Sequence, residues 1–191
     1  MSVQVGTTAP DFELGSHRGD KVRLSRFRGR KHVVIAFHPL AFTPVCATQM
    51  RNYEADQTWF GAHDTHVLGI SVDSVPAKIE WAKTLDGITY DLLSDFHPHG
   101  SVAQAYGVLR DDGISERAVF IVDKSGRVVF AKVYDIPALP DNAEVRQTIE
   151  RLRGEASARR DAAAHLGQRV TAALRDLCAG VTQLVRACAH L

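Results

Sequence analysis

The arrangement of apolar and polar positions predicts a chain in which strands and helices alternate. Val33-Val34-Ile35-Ala36-Phe37 is a continuous apolar run of strand length, the pattern of a strand buried on both faces as in a parallel sheet. Before it, Phe12–Leu14 and Val22–Leu24 flank a Gly/Ser/His/Arg/Asp stretch and read as a hairpin. Ser25 then opens a short turn through Phe27. After Phe37 the strand stops at His38-Pro39, and Thr43-Pro44 announces a helix running from Pro44 to about Phe60. Thr is a good N-cap, and proline suits the first helical position, where its missing N–H would have no partner. A strand over His66–Val72, a helix from Pro76 to about Leu85, a short strand at Tyr90–Leu93 and a short helix at Val102–Tyr106 follow. Ala118–Val122 and Val128–Val133 flank Asp123-Lys124-Ser125-Gly126, a hairpin turn. A last helix starts near Asp141 and reaches Leu152 or beyond. Strands alternating with helices and closing in a hairpin imply an α/β sheet covered by helices.

The pattern changes after Arg153. Residues 154–191 are rich in Ala, Arg and Leu, without proline or aromatic residues. Leu166, Val170, Leu174, Leu177, Val181, Leu184 and Cys188 fall on one stripe of helical spacing, which predicts an amphipathic helical tail. Gly167 and Gly180 weaken that helix. Folding back on the body, pairing in a dimer and having no evolved role all remain open for it. The expected division is therefore a domain over 1–153 and an extension over 154–191.

Composition narrows the function classes. With 23 basic and 22 acidic residues the net charge is +1, so neither nucleic acid nor an anionic membrane is expected as a partner. No apolar run approaches the roughly 20 residues of a membrane span, and MSVQVGTTAPDFEL carries no signal-peptide pattern. The expectation is a soluble, cytoplasmic protein. The cysteines are Cys46, Cys178 and Cys188, without a CxxC or a zinc-ligand spacing, which argues against a disulfide-stapled secreted fold.

Candidate chemistry concentrates in Phe37-His38-Pro39-Leu40-Ala41-Phe42-Thr43-Pro44-Val45-Cys46. This segment sets a cysteine in the first turn of a helix directly after a buried strand. Unpaired N–H groups and the positive end of the helix dipole converge there and favour thiolate over thiol. The Thr43 hydroxyl is placed to accept from a first-turn N–H while donating towards the sulfur. Placement alone leaves a second reading open, in which Thr43 only caps and Cys46 is a small buried hydrophobe.

Pro39-x-x-x-Thr43-x-x-Cys46 resembles the active-site motif of the peroxiredoxins. The flanking sequence is most similar to the one-cysteine alkyl hydroperoxide reductase E type, in a Phe-Pro-Leu-Ala-Phe-Thr-x-x-Cys stretch matched downstream by Leu93–Gly100 and Gln104–Val108. The similarity covers about residues 3–152. It implies a thioredoxin-like fold, a mixed central sheet covered by helices, and a thiol peroxidase that needs no metal or organic cofactor. By this resemblance Cys46 is the peroxidatic cysteine, Thr43 holds peroxide and sulfur, Pro39 shields the thiolate, and Arg117 at the head of a late strand lowers the sulfur's proton affinity. Hydroperoxides are the implied substrates, and a homodimer is the common assembly.

One position departs from the family. Glu usually stands three residues after the peroxidatic cysteine and orients the arginine. Here Gln49 keeps an acceptor without the charge, so the arginine is expected to be less firmly held. Arg51 occupies a position where some relatives carry a resolving cysteine, and the Val-Cys-Pro resolving motif is missing. The implied reductant is therefore an external thiol, either of low molecular weight or a thioredoxin- or glutaredoxin-like protein. Cys178 or Cys188 resolving the oxidised sulfur is the other possibility. His63/His66 and His97/His99 are short pairs without a carboxylate-flanked metal pattern, and Trp59 and Trp81 are expected to pack on the sheet. The Arg23–Lys31 basic cluster reads as a solvated face. Two further functions stay open: a thiol–disulfide oxidoreductase or redox sensor working through Cys46, and a non-catalytic interaction module working through the tail.

Overall fold

The computed structural model describes residues 3–188, those beyond 169 by their backbone apart from Thr171 and Arg175. Two units divide the chain, Met1–Glu150 and Arg151–Leu191. In the first, β1 (Glu13–Ser16) and β2 (Lys21–Arg23) form the expected hairpin, and a single 3-10 turn, Leu24–Phe27, leads to β3 (His32–Phe37). Then come α1 (Pro44–Ala55), α2 (Gln57–Ala62), β4 (Thr65–Ser71), α3 (Val75–Thr84), β5 (Asp91–Ser94), α4 (Ser101–Ala105), β6 (Arg117–Val122) and β7 (Val128–Tyr134). The strands make one mixed sheet in the order β2-β1-β5-β4-β3-β6-β7. β3, β4 and β5 run parallel, and the other neighbours are antiparallel. The last helix, α5 (Asn142–Cys188), runs through both units. On its described stripe Leu166 is exposed, and the side chains of the other stripe positions lie outside the described ones.

Every residue of β3 and β6 is buried, as the apolar runs Val33–Phe37 and Ala118–Val122 require, and the leading His32 and Arg117 are buried with them. The two-residue period of a strand sends successive side chains to opposite faces, and this divides the core in two. Val33, Ile35 and Phe37 join Ala118, Phe120 and Val122 on one face. Val34 and Ala36 join Val119 and Ile121 on the other, with Cys46, Met50 and Tyr53 of α1 packed over them. Spacings of four and three put those α1 residues on one helical stripe. Val145 and Ile149 from the start of α5 complete this second layer.

The helix expected from Pro44 to Phe60 is two helices. The break is at Asp56, whose backbone (φ −93°, ψ 5°) leaves the helical region. Its carboxylate accepts from Asn142 Nδ2 at 2.9 Å and Arg146 Nη1 at 3.3 Å. Those partners lie almost ninety positions away, beyond the reach of local pattern.

Gly69 of β4 lets α1 approach the sheet. A Cβ there would stand 2.8 Å from Leu92 Cδ2 and 2.9 Å from Met50 Sδ. Gly69→Ala is expected to destabilise the fold by about 1–3 kcal/mol, the usual range for overpacking, read as a lower midpoint in urea unfolding. Because Met50 is one helical turn from Cys46, the variant should also slow peroxide reduction.

Candidate active site

The site forms where β3 ends and α1 begins, at the carboxyl ends of the parallel strands, the usual binding edge of such sheets. The His38 N–H donates to the Ile70 carbonyl at 3.0 Å, and the His38 carbonyl accepts from Ser115 Oγ at 2.8 Å. Pro39 is buried behind it. Asp73, in the loop between β4 and α3, accepts from the Ala41 N–H at 2.9 Å and from Ser71 Oγ. Phe42 has φ +60°, a left-handed backbone that costs a bulky L-residue about 1–2 kcal/mol. Asp73 and the turn hydrogen bond of Thr43 hold the loop in that shape.

Thr43 occupies the N-cap position but makes no side-chain cap. Its Oγ1 donates to the Leu40 carbonyl at 3.0 Å, closing the turn. The expected hydroxyl bond to a first-turn N–H is therefore absent, and the hydroxyl hydrogen is not directed at the sulfur. What Thr43 offers the site is oxygen lone pairs, an acceptor for an O–H. Pro44 has no N–H, so Val45 and Cys46 present the orphan donors of the first turn.

Cys46 is the third residue of α1 and has no exposed surface. β3 and β6 pair Phe37 with Ala118, which sets Arg117 level with His38. Strand parity puts Arg117 on the face of Val119 and Ile121, beneath α1. Arg117 is 1% exposed and all three of its guanidinium nitrogens are engaged. Nε donates to the Ile136 carbonyl at 2.9 Å, Nη1 to Gln49 Oε1 at 2.6 Å, and Nη2 to Cys46 Sγ at 3.5 Å. Gln49 thus performs the orienting role despite its lack of charge, and the Ile136 carbonyl supplies a second neutral brace. Among the described residues no carboxylate lies at ion-pair distance from Arg117, leaving the sulfur as the one contacting atom able to carry a full negative charge.

A cysteine at a helix start, held against a buried guanidinium on a mixed sheet, invites comparison with known thiol enzymes. The model of the AhpC/TSA family matches residues 5–131. The chain is a peroxiredoxin of this family. Alkyl hydroperoxide reductase E of Mycobacterium tuberculosis is 43% identical over 132 residues, covering 69% of this chain and 86% of the relative. A chloroplastic 2-Cys peroxiredoxin of Spinacia oleracea is 35% identical over 158 residues, 78% of this chain and 59% of that protein. Among solved structures, the reduced 2-Cys peroxiredoxin of Plasmodium vivax superposes with a TM-score of 0.75 at 29% identity, covering 81% of this chain and 84% of that one. The thioredoxin-like fold and the thiol-dependent peroxidase activity implied by the sequence are thereby established.

The remaining residues singled out in the sequence take separate places in this peroxiredoxin. His66 Nε2 meets Asp91 at 2.8 Å, His63 Nδ1 meets the Trp59 carbonyl at 2.8 Å, and His99 Nε2 donates to the Gly113 carbonyl at 2.7 Å. Trp81 is buried and Trp59 packs half-buried against the same core layer, its ring covered by Arg146 at 4.7 Å. Arg23 and Arg26 of the basic cluster pair with Glu13, Asp20 and Asp91. The side chains of Cys178 and Cys188 lie outside the described ones. Sequence reasoning missed Asp73, Ser115, the Ile136 carbonyl and Lys78. Only Asp73 left a local trace, as a turn-forming residue ahead of the Ser74 cap, whose hydroxyl accepts from the Ala77 N–H.

Proposed function

We propose that Cys46 is the peroxidatic cysteine, with Arg117, Thr43 and Pro39 completing its site. The observation that carries this reading is the 3.5 Å contact between Arg117 Nη2 and Cys46 Sγ in the first turn of α1. The thiolate attacks one oxygen of a hydroperoxide in line with the O–O bond, and the departing oxygen leaves with the electron pair as hydroxide or alkoxide, which is protonated to water or alcohol. Cys46 becomes a sulfenic acid. Arg117 and the Val45 and Cys46 N–H groups stabilise the charge that spreads over the two oxygens, while Thr43 Oγ1 accepts from the peroxide O–H. Pro39 keeps water from the sulfur. Since Cys46 has no exposed surface, admission of peroxide requires a local opening above it.

An external thiol recycles the sulfenic acid, either a low-molecular-weight thiol or a thioredoxin- or glutaredoxin-like protein. In support, Arg51 stands where a helix-borne resolving thiol would be, and Cys46 is unpaired. Residues 1–153 form the catalytic domain of a cytoplasmic homodimer, and 154–191 are an extension of it. No described helix is long and apolar enough to cross a membrane. Titration with one equivalent of hydrogen peroxide, followed by thiol-specific mass spectrometry, tests the assignment. Sulfenic acid at Cys46 is expected, with no disulfide to Cys178 or Cys188. Oxidation starting at either tail cysteine with Cys46 untouched contradicts it, and a Cys46 disulfide to the tail replaces the external reductant with an internal one.

A further inference from the structure

Behind the site lies a second basic group that the mechanism above does not use. Lys78 of α3 and His38 at the end of β3 are both fully buried, and Lys78 Nζ stands 2.9 Å from His38 Nε2. The ammonium also sits over the Trp81 ring, 5.6 Å from its centre. Among the described residues no carboxylate pairs with Lys78, and a buried ammonium is costly unless an anion is near. Two anions lie within its electrostatic reach, Asp73 from the β4–α3 loop and Cys46 from α1. Cys46 loses its charge each time it is oxidised. At that moment Arg117 and Lys78 would both be buried cations with no thiolate, and a guanidinium cannot shed its proton. An ammonium can.

We propose that Lys78, seated against His38, is a second cation of the peroxidatic pocket, charged while Cys46 is a thiolate and discharged, with release of its proton, when the sulfur becomes neutral sulfenic acid. His38 is the positioning residue. Burial first, then Lys78 and Arg117, keep it neutral, so Nε2 accepts from the ammonium. Its Nδ1 is buried and short of full hydrogen-bonding geometry, with the Leu40 backbone as its nearest polar neighbour. Burial lowers the proton affinity of Lys78 from the ordinary lysine value to about 7, against the opposing pull of Asp73 and Cys46. The charge balance follows. The thiolate forms a bond to one peroxide oxygen, the O–O bond breaks, and the leaving oxide takes one proton from solvent. Lys78 returns one proton to solvent. Net uptake therefore falls clearly below one proton around neutral pH and returns to one at both extremes, where Lys78 either stays charged or was already neutral.

This inference rests on the peroxidase assignment of Cys46. It is tested by stopped-flow oxidation with one equivalent of hydrogen peroxide in weakly buffered indicator dye, with thiolate absorbance and mass spectrometry in parallel. Wherever the thiolate is present, Lys78→Met and Lys78→Arg should take up one proton per Cys46 oxidised. The unaltered protein should show a deficit centred near neutrality. If it takes up a full proton at neutral pH with thiolate fully formed, the proposal is overturned, and this outcome needs no variant to fold. If Cys46 forms no sulfenic acid at all, the fault lies with the peroxidase assignment instead.

Discussion

Cys46→Ser is expected to abolish peroxide reduction, lowering the second-order rate constant by at least about 10⁴-fold, the scale on which loss of a nucleophile is felt. A serine hydroxyl at this position can still accept from Arg117 Nη2, which now lies 3.5 Å from the sulfur. Stability should therefore change by only about 1 kcal/mol. That contrast separates a chemical role from a packing one, because a buried residue that only filled space would lose stability and activity together. Stopped-flow peroxide consumption and urea unfolding on the same preparation give both numbers. Cys178→Ser and Cys188→Ser should stay active when an external thiol is supplied. A Cys46→Ser protein that still consumed peroxide would move the nucleophile elsewhere.

Arg117→Met should lower the peroxide rate constant by about 10²–10³-fold at neutral pH, comparable with removal of an oxyanion donor. Arg117→Lys is the sharper test. It keeps the charge, but one ammonium cannot span Gln49, Ile136 and the sulfur in the planar fork that the guanidinium uses. Rates for Arg117→Lys should stay nearer those of Arg117→Met than those of the unaltered protein. Full activity in Arg117→Lys would mean that charge alone matters and that the geometry around Gln49 is incidental.

The three nitrogens of Arg117 also explain why Gln49 is tolerated. A glutamate would brace the guanidinium and neutralise part of it. Gln49 braces it at 2.6 Å and leaves its charge for the sulfur. On the proposal above, the buried partners are a permanent cation in Arg117 and a dischargeable one in Lys78, serving a charge that appears and disappears with each turnover. On the second of these the sequence was silent: a lysine in Pro76-Ala77-Lys78-Ile79-Glu80-Trp81 looks like any solvated helix position.

Local order in the chain determines those features whose physical cause is itself local. The all-apolar run of β3 demanded a strand covered on both faces, Thr43-Pro44 marked the start of α1, and the motif around Cys46 carried the family. Each depends on residues within a few positions of one another. The failures were of another kind. The break at Asp56 is made by Asn142 and Arg146, and the Thr43 hydroxyl was diverted by a loop whose shape Asp73 maintains. Alternation along β3 and β6 could say that 34, 36 and 38 share a face and that 117, 119 and 121 share one. Only the pairing of Phe37 with Ala118 put those two faces together under α1. Register, helix approach over Gly69 and the burial of Lys78 are long-range results, set by which surfaces exclude water from each other, and a buried charge acquires its meaning only from the neighbours that packing assigns to it.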